Sequence, residues 1–364
     1  MIGAIEIKHF RGIKHLKLDG LRTINIIVGP SAAGKTSLLE GLRLALGATP
    51  QIAFNLAHRG TPNSLMPYPT REQFEFLWTP LFFDFGVGTP IDFSIVDQDD
   101  RVARSAIFFD QSKALLAAQP TLPLSGTSPR PSSGQPSVQP AIAPLAFKRT
   151  SFTKDESTLY ASVASNGQLQ FDSGNELDVV ADFLSPFWPT NSQQITMMFS
   201  RLSIAGSTRG ILDVLIKQFP EIRDLSVESP AFFPALYASM AHVTRKMPLA
   251  MVSSGIYKFV SLLLAIESTK GGVLLVDEIE NGIYYQTMPA LWQALHTSAK
   301  QASAQLFLTT HSWECLKCAA PLIEEFPDDF NLIQMFQEGG ESVALVVPGQ
   351  HAAAAIDAGI EVRA

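Results

Sequence analysis

The stretch Gly29-Pro30-Ser31-Ala32-Ala33-Gly34-Lys35-Thr36 decides how this chain folds. It fits the pattern G-x-x-x-x-G-K-[ST], which is typical of a loop that binds phosphate groups. The apolar run at residues 22–28 predicts a buried strand before it, and the leucines from Leu38 to Leu46 follow it at helical spacing. A strand, a glycine loop and a helix are the context that this motif needs, because the loop amides and the helix N-terminus then point at an anion.

The loop predicts a site for ATP with a magnesium ion. We expect the nucleotide to contact the loop and the first turn of the following helix, namely Gly29, Ser31, Ala32, Ala33, Gly34, Lys35, Thr36 and Ser37. Lys35 would reach the β- and γ-phosphates, and the hydroxyl of Thr36 would ligate Mg²⁺. The alternative is a chance glycine loop in another α/β protein, but all eight positions and both flanking segments agree with the nucleotide site.

A second apolar run, at residues 272–276, ends in two acids, Asp277 and Glu278. This is the Walker B pattern, in which the strand would deliver Asp277 to the Mg²⁺ as a metal ligand and Glu278 would polarise the attacking water. A third apolar run, at residues 305–310, ends at His311, where a histidine at the carboxyl edge of an open α/β sheet could sense the γ-phosphate. We therefore predict Glu278 and His311 as catalytic residues. A strand capped by solvated acids and a structural histidine are the alternatives.

Ser253, Ser254 and Gly255 stand at the start of a predicted helix whose apolar residues recur from Ile256 to Leu264. Ser253 is a natural N-cap, and capping is one explanation of the motif. The other explanation is a second anion site, because a Ser-Gly helix start presents backbone amides to a phosphate. Since the chain has its own phosphate loop, the second site could serve a nucleotide bound to another subunit.

The composition is that of a globular protein, because 46% of the 364 residues are apolar and 17% are charged. No apolar run reaches the roughly 18 residues of a membrane span, and no signal-peptide pattern stands at the N-terminus, so we expect a cytoplasmic protein without membrane contact. The net charge of −7 argues against binding of polyanions by the protein as a whole. Cys315 and Cys318 are the two cysteines, and without a second pair to complete a zinc site we predict two reduced thiols on a helix.

We predict a single domain over residues 1–364, made of two lobes and a loop around the nucleotide core. Short-period, aromatic-rich segments between residues 74 and 110, such as Phe82 to Phe85, predict an antiparallel β layer. Residues 119–145 are rich in Pro, Ser, Gly and Gln and predict a flexible loop. From about residue 174 to 250 the pattern becomes helical and predicts a helical lobe.

The order of these motifs resembles a known class of ATPases. Residues 253–255, 277–278 and 311 resemble the signature, Walker B and switch histidine of ABC-type ATPase heads. Residues 10–12, with the sequence Phe-Arg-Gly, resemble the N-terminal segment of the RecF, SMC and Rad50 branch of these proteins. Residues 277–285 are similar to the Walker B and D-loop of AAA15/AAA21-type ATP-binding proteins, which are related to the OLD nucleases.

This resemblance implies an α/β P-loop NTPase fold, an ABC-ATPase-like head with a mixed central sheet, an antiparallel β lobe and a helical lobe. It also implies a homodimer that sandwiches two Mg-ATP molecules, each held by one P-loop and by the opposing Ser253-Ser254-Gly255 in trans. The sequence departs from the family at Tyr284, where members often have a histidine. Only 53 residues follow His311, which are too few for the Toprim nuclease domain that the OLD nucleases carry in the same chain.

Three functional hypotheses follow from the motifs and the resemblance together. The first is an ATP-hydrolysing switch whose closure controls a separate nucleic-acid-directed effector, such as a Toprim-type nuclease subunit, in defence against phages. The second is a RecF-like DNA-repair ATPase that binds DNA itself. The third is a nucleotide-gated scaffold with negligible turnover.

Overall fold

The computed structural model describes residues 1–58, 70–114, 141–164, 167–174, 179–185, 192–230 and 233–359. A flexible loop was predicted at residues 119–145. Residues 119–140 of it lie outside the described residues, and residues 141–145 are described. At its end, Ile142 and Ala143 are buried and Leu145 begins a strand. The predicted loop therefore extended too far, because these apolar side chains pack into the core beneath the β lobe described below.

The described residues form three sheets. Their strands are, in chain order, β1 (Ile2–Phe10), β2 (Ile13–Asp19), β3 (Ile24–Val28), β4 (Ile91–Asp97), β5 (Val102–Phe109), β6 (Leu145–Thr150), β7 (Glu156–Val163), β8 (Leu169–Phe171), β9 (Ala181–Leu184), β10 (Ile222–Glu228), β11 (Ala235–Met240), β12 (Met247–Pro248), β13 (Val273–Val276), β14 (Gln305–Thr309), β15 (Phe330–Glu338) and β16 (Glu341–Pro348).

Helices pack on both faces of the six-stranded mixed sheet. In chain order they are α1 (Lys35–Gly47), α2 (Pro50–His58), α3 (Arg71–Trp78), α4 (Ser192–Ile204), α5 (Arg209–Gln218), α6 (Leu249–Val252), α7 (Ser254–Ser268), α8 (Met288–Ala302), α9 (Trp313–Glu325) and α10 (Gly349–Asp357). Among the described residues, none of these helices combines the length and the apolar character that crossing a membrane requires.

The central sheet has the order β16-β15-β3-β14-β13-β9. All of its neighbouring pairs are parallel except β15 and β16, which are antiparallel at one edge. Strands β3, β13 and β14 are buried along their whole length, which explains their continuous apolar sequences. Because β14 lies between β3 and β13, the carboxyl ends of all three meet at one edge of the sheet.

Successive side chains of the central strands pack into two different hydrophobic cores. Ile24 and Ile26 of β3 face the core formed with α7, α8 and α9. Ile27 faces the second core, which α1 shares with the β lobe. Helix α1, which starts at the phosphate loop, is therefore held between the central sheet and the β lobe.

The predicted antiparallel β layer is present as a seven-stranded sheet in the order β2-β1-β4-β5-β6-β7-β8. One detail of the prediction is wrong. Phe82 to Phe85 were expected in a strand, but Phe82 follows one short 3₁₀ turn and Phe83 to Phe85 form another, with Asp84 in the left-handed region at φ 49°. An isolated bridge joins Phe82 to Phe10, and Phe82 is buried, whereas Phe85 is 70% exposed.

The predicted helical lobe is only partly helical. Helices α4 and α5 lie within residues 174–250, but β10, β11 and β12 form an antiparallel sheet in the same region and β9 joins the central sheet beside β13. In β10 the buried residues are Ile222 and Leu225, three positions apart, with exposed residues between them. That spacing resembles one face of a helix, which explains the wrong prediction. The structure otherwise confirms the P-loop α/β fold with a mixed central sheet and an antiparallel β lobe.

Candidate nucleotide site

The phosphate loop connects β3 to α1 and needs glycine at two positions. Gly29 has φ 142°, and a β-carbon there would clash with the carbonyl oxygen of Met335 on β15. Gly34 has φ 99°, and a β-carbon there would lie 2.5 Å from the hydroxyl of Ser342 on β16. The hairpin of β15 and β16 therefore packs closely against the loop, and only glycine fits both the backbone conformation and the space.

Lys35 is buried at the N-terminus of α1, where it is 4% exposed. Its ammonium donates to the backbone oxygens of Gly29 and Pro30 at 2.7 and 2.8 Å. Burial lowers the pKa of Lys35 to about 8, while three neighbouring carboxylates oppose this shift. The side chain is thus folded back onto the loop, and its ammonium lies where it could turn to a bound phosphate.

The structure brings together the two predicted metal ligands, which are far apart in sequence. The hydroxyl of Thr36 lies 3.1 Å from Oδ2 of Asp277, which follows β13 and is 2% exposed. A hydroxyl and a carboxylate are hard oxygen donors, which fit a Mg²⁺ ion that also takes oxygens from phosphates and water. Ser37 follows in the first turn of α1 and is half-buried.

An open cleft of about 460 Å³ lies beside the loop. Two predicted catalytic residues, Glu278 and His311, line it together with Ser31 of the phosphate loop. Glu280 and Asn281 complete its lining. The sequence thus anticipated three of the five residues around this cleft.

Glu278 has an unusual backbone conformation, with φ 53° in the left-handed region. A non-glycine residue in this region is uncommon, and such residues cluster at functional sites. His311 is held nearby by its backbone amide, which donates to Oε1 of Glu280 at 2.7 Å. This contact uses the backbone amide of His311 and leaves its imidazole available at the cleft, which His311 lines.

Ser253, Ser254 and Gly255 are not among the residues that line this cleft. Ser253 caps α7, with its hydroxyl 3.5 Å from the amide of Ile256, so the capping explanation describes its contact within one chain. Both serines are exposed. A β-carbon on Gly255 would lie 3.2 Å from the carbonyl oxygen of Gly282, so this helix start packs against the turn that follows Glu280.

Four residues near the site were not predicted as part of it: Glu280, Asn281, Thr309 and Lys258. Glu280 is the third acid after β13, and its Oε2 atom is buried without a hydrogen-bond partner in the described part of the chain. Burial lowers the pKa of Lys258 on α7. Nearby carboxylates raise this pKa in the opposite direction, and the charge of Asp277 has the largest effect among them. The acid run after β13 was a sequence signal for Glu280, but no motif marked Lys258.

Cys315 and Cys318 both lie on α9 as free thiols. Burial raises the pKa of Cys315 to about 12, and burial with the nearby charge of Glu314 raises the pKa of Cys318. Both shifts disfavour the thiolate, which is the reactive form of cysteine.

Two stretches match models of known protein families. Residues 206–315 match a model described as an AAA domain, putative AbiEii toxin, Type IV TA system. Residues 4–63 match a model described as an AAA domain. Residues 206–315 include Ser253-Ser254-Gly255, Asp277, Glu278 and His311, and residues 4–63 include the phosphate loop. These matches confirm the resemblance to AAA-type ATPases inferred from the sequence.

Two relatives and two solved structures are also similar to the chain. It is 23% identical over 346 residues to an ATP/GTP phosphatase of Helicobacter pylori, covering 89% of each protein. It is 56% identical over 48 residues to an uncharacterized protein of Methanocaldococcus jannaschii, covering 13% of this chain and 22% of that protein. An SMC head bound to the C-winged helix domain of ScpA aligns with 96% of this chain and 99% of its own, at 13% identity and a TM-score of 0.49. The SMC head domain from Thermotoga maritima aligns with 95% of this chain and 98% of its own, at 11% identity and a TM-score of 0.42.

Proposed function

We propose that this AAA-type ATP-binding protein of the ABC and SMC-like ATPases hydrolyses Mg-ATP at a site that a second copy of the chain completes. One observation carries the proposal. Thr36 and Asp277, from opposite halves of the sequence, approach to 3.1 Å, and Glu278 directs its side chain to the adjoining cleft. The relative named ATP/GTP phosphatase supports hydrolysis as the reaction.

Each residue of the phosphate loop has a defined task in this reaction. Lys35 exchanges its two carbonyl partners, on Gly29 and Pro30, for phosphate oxygens when ATP binds. Thr36 and Asp277 would hold the Mg²⁺, which when bound neutralises the charge that develops on the phosphate oxygens. The loop amides and the N-terminus of α1 orient the phosphates for attack.

Glu278 and His311 act at the open side of the cleft. The carboxylate of Glu278 orients the attacking water and takes its proton, which is the role of a general base. His311 donates from its imidazole to the γ-phosphate and so responds to its loss. Both side chains line the cleft beside Ser31 of the phosphate loop.

The second copy would supply Ser253, Ser254 and Gly255. In a single chain these residues lie outside the cleft lining, and both serines are exposed. The amides at the start of the fifteen-residue helix α7 would then receive the γ-phosphate of the nucleotide on the partner copy. ATP would close the dimer, and hydrolysis would open it.

We further propose that the closed and open dimers control a separate effector that acts on nucleic acid, in defence against phages. A switch of this kind requires a partner with different affinities for the two states. The family model described as a putative AbiEii toxin of a Type IV TA system supports a role of this class. A Toprim-type nuclease subunit is the effector that the OLD-like resemblance favours, by analogy.

The ATPase proposal is tested by measuring Mg²⁺-dependent phosphate release from the wild type and two variants. Lys35→Ala should lose useful ATP binding, because the phosphate charge is then poorly compensated. Glu278→Gln should bind ATP and accumulate the closed dimer in size-exclusion chromatography, with hydrolysis slower by about 10²–10⁴-fold because the amide cannot accept a proton. Hydrolysis by Glu278→Gln within a few-fold of wild type would move the base to another residue.

The effector proposal is tested by purification with native neighbours under ATP, from wild type and from Glu278→Gln. We expect an effector that is retained in one nucleotide state and released in the other. A lone homodimer in both cases, with tight DNA binding that weakens steeply with salt, would support the RecF-like alternative. A stable ATP-bound dimer without phosphate release in the wild type would support the scaffold.

A further inference from the structure

We propose that Thr309 is a positioning residue that fixes both acids after β13, a role that rests on the ATPase function proposed above. Thr309 is the last residue of β14 and is fully buried. Because β14 lies between β3 and β13, the carboxyl end of this strand lies between the end that leads to the phosphate loop and the end that leads to the Walker B acids. A hydroxyl that is buried at the end of this strand needs polar partners, and it finds them in consecutive residues.

Thr309 makes three hydrogen bonds with residues 277–279. Its hydroxyl donates to Oδ1 of Asp277 at 2.7 Å and accepts from the backbone amide of Glu278 at 2.8 Å. Its carbonyl accepts from the amide of Ile279 at 3.0 Å. An amide can only donate and a carboxylate only accepts, so one hydroxyl satisfies both in a single fixed orientation.

The first consequence concerns the metal ligand. Oδ1 of Asp277 is held by Thr309, while Oδ2 is the oxygen closer to Thr36, at 3.1 Å against 3.3 Å for Oδ1. The bond from the Thr309 hydroxyl therefore fixes the rotation of the Asp277 carboxylate, whose two oxygens both lie within reach of Thr36. It leaves Oδ2 directed toward the place where Thr36 and Asp277 would share a Mg²⁺ ion.

The second consequence concerns the general base. Glu278 has φ 53°, a conformation that an L-residue adopts only when its surroundings hold it there. The bonds from the amides of Glu278 and Ile279 to Thr309 hold the backbone on both sides of the Glu278 α-carbon. Thr309 thus keeps the Glu278 side chain in the cleft without touching substrate itself.

The test compares Thr309→Val, which keeps the shape and removes the hydroxyl, with Thr309→Ser, which keeps the hydroxyl and removes the methyl group. For each variant and the wild type we would measure kcat, KM for ATP, the Mg²⁺ concentration that gives half-maximal activity, and ATP affinity in EDTA. Thr309→Val should lower kcat by about 10–100-fold and raise the half-maximal Mg²⁺ concentration at least about tenfold. In Thr309→Ser, kcat and the half-maximal Mg²⁺ concentration should both stay within about threefold of the wild-type values. The affinity for ATP in EDTA should differ by less than about twofold among the wild type and the two variants.

Thermal unfolding of each variant shows whether it is folded. If Thr309→Val does not fold, Thr309→Cys, with a weaker donor in place of the hydroxyl, should give intermediate values of kcat and of the half-maximal Mg²⁺ concentration. Wild-type values in folded Thr309→Val or Thr309→Cys would overturn the inference, as would a Thr309→Ser variant as slow as Thr309→Val. Absence of Mg²⁺-dependent hydrolysis in the wild type would instead refute the proposed function, and the inference with it.

Discussion

Raising the pH from 7.5 to 9.5 is expected to weaken nucleotide binding about 25-fold, because Lys35 must carry its proton to bind phosphate. Burial lowers the pKa of Lys35 to about 8, well below the ordinary value for lysine. With that pKa, about 76% of the side chains are protonated at pH 7.5 and about 3% at pH 9.5. The apparent dissociation constant rises by the ratio of these fractions as long as the bound form stays protonated.

The assay is a titration with a non-hydrolysable ATP analogue and Mg²⁺ at several pH values between 7.5 and 9.5. Lys35→Arg should remove most of the pH dependence, since arginine keeps its charge throughout this range. Lys258→Arg is the matched control, because burial also lowers the pKa of Lys258 but the phosphate loop does not contain it. Wild-type affinity that changes less than about twofold, or a loss of pH dependence in Lys258→Arg alone, would refute the reasoning.

Two further predictions concern stability. Glu40→Ala should lower the free energy of unfolding by about 3–5 kcal/mol in urea titrations, because the guanidinium of Arg11, whose side chain is 13% exposed, loses the buried carboxylate that lies 3.0 Å from it. The double variant Arg11→Met/Glu40→Leu should cost less, because it removes both charges. Replacing residues 119–140 with a few glycines should leave the melting temperature and the ATPase rate nearly unchanged if they form the loop that the sequence predicts, because shortening such a loop changes closure entropy only slightly. Extending that deletion through residue 144 should lower the melting temperature, because Ile142 and Ala143 are buried; an equal melting temperature for both deletions would contradict this.

Local patterns predicted the parts of the site that each lie within one short segment. The phosphate loop and its flanking strand and helix are contiguous in sequence. The loop motif, the apolar run before it and the helical spacing of the leucines after it were therefore sufficient to place β3 and α1. The same holds for the acids after β13. Strands β3 and β13 are buried and apolar, so the sequence alone predicts them as strands of a parallel sheet.

Contacts between distant segments could not be predicted in the same way. The bond from Thr309 to Asp277 depends on the position of β14 between β3 and β13, and strand order is not encoded in any single strand. Close packing of Met335 against Gly29 likewise depends on β15 as the neighbour of β3. In β10 the local pattern was misleading, because its two buried residues lie three positions apart, which fits one face of a helix and not the alternation of a strand.

The central claim, a site shared by two copies, is tested most directly by mixing two inactive variants. Lys35→Ala removes the phosphate-binding lysine, and Gly255→Phe blocks the start of α7 from the opposing nucleotide. A dimer that contains one copy of each has one complete site, formed by the phosphate loop of the Gly255→Phe copy and the α7 start of the Lys35→Ala copy. With random pairing and independent sites, the mixture should recover about one quarter of the wild-type ATPase rate. A mixture that stays as inactive as the two separate variants would contradict the shared site.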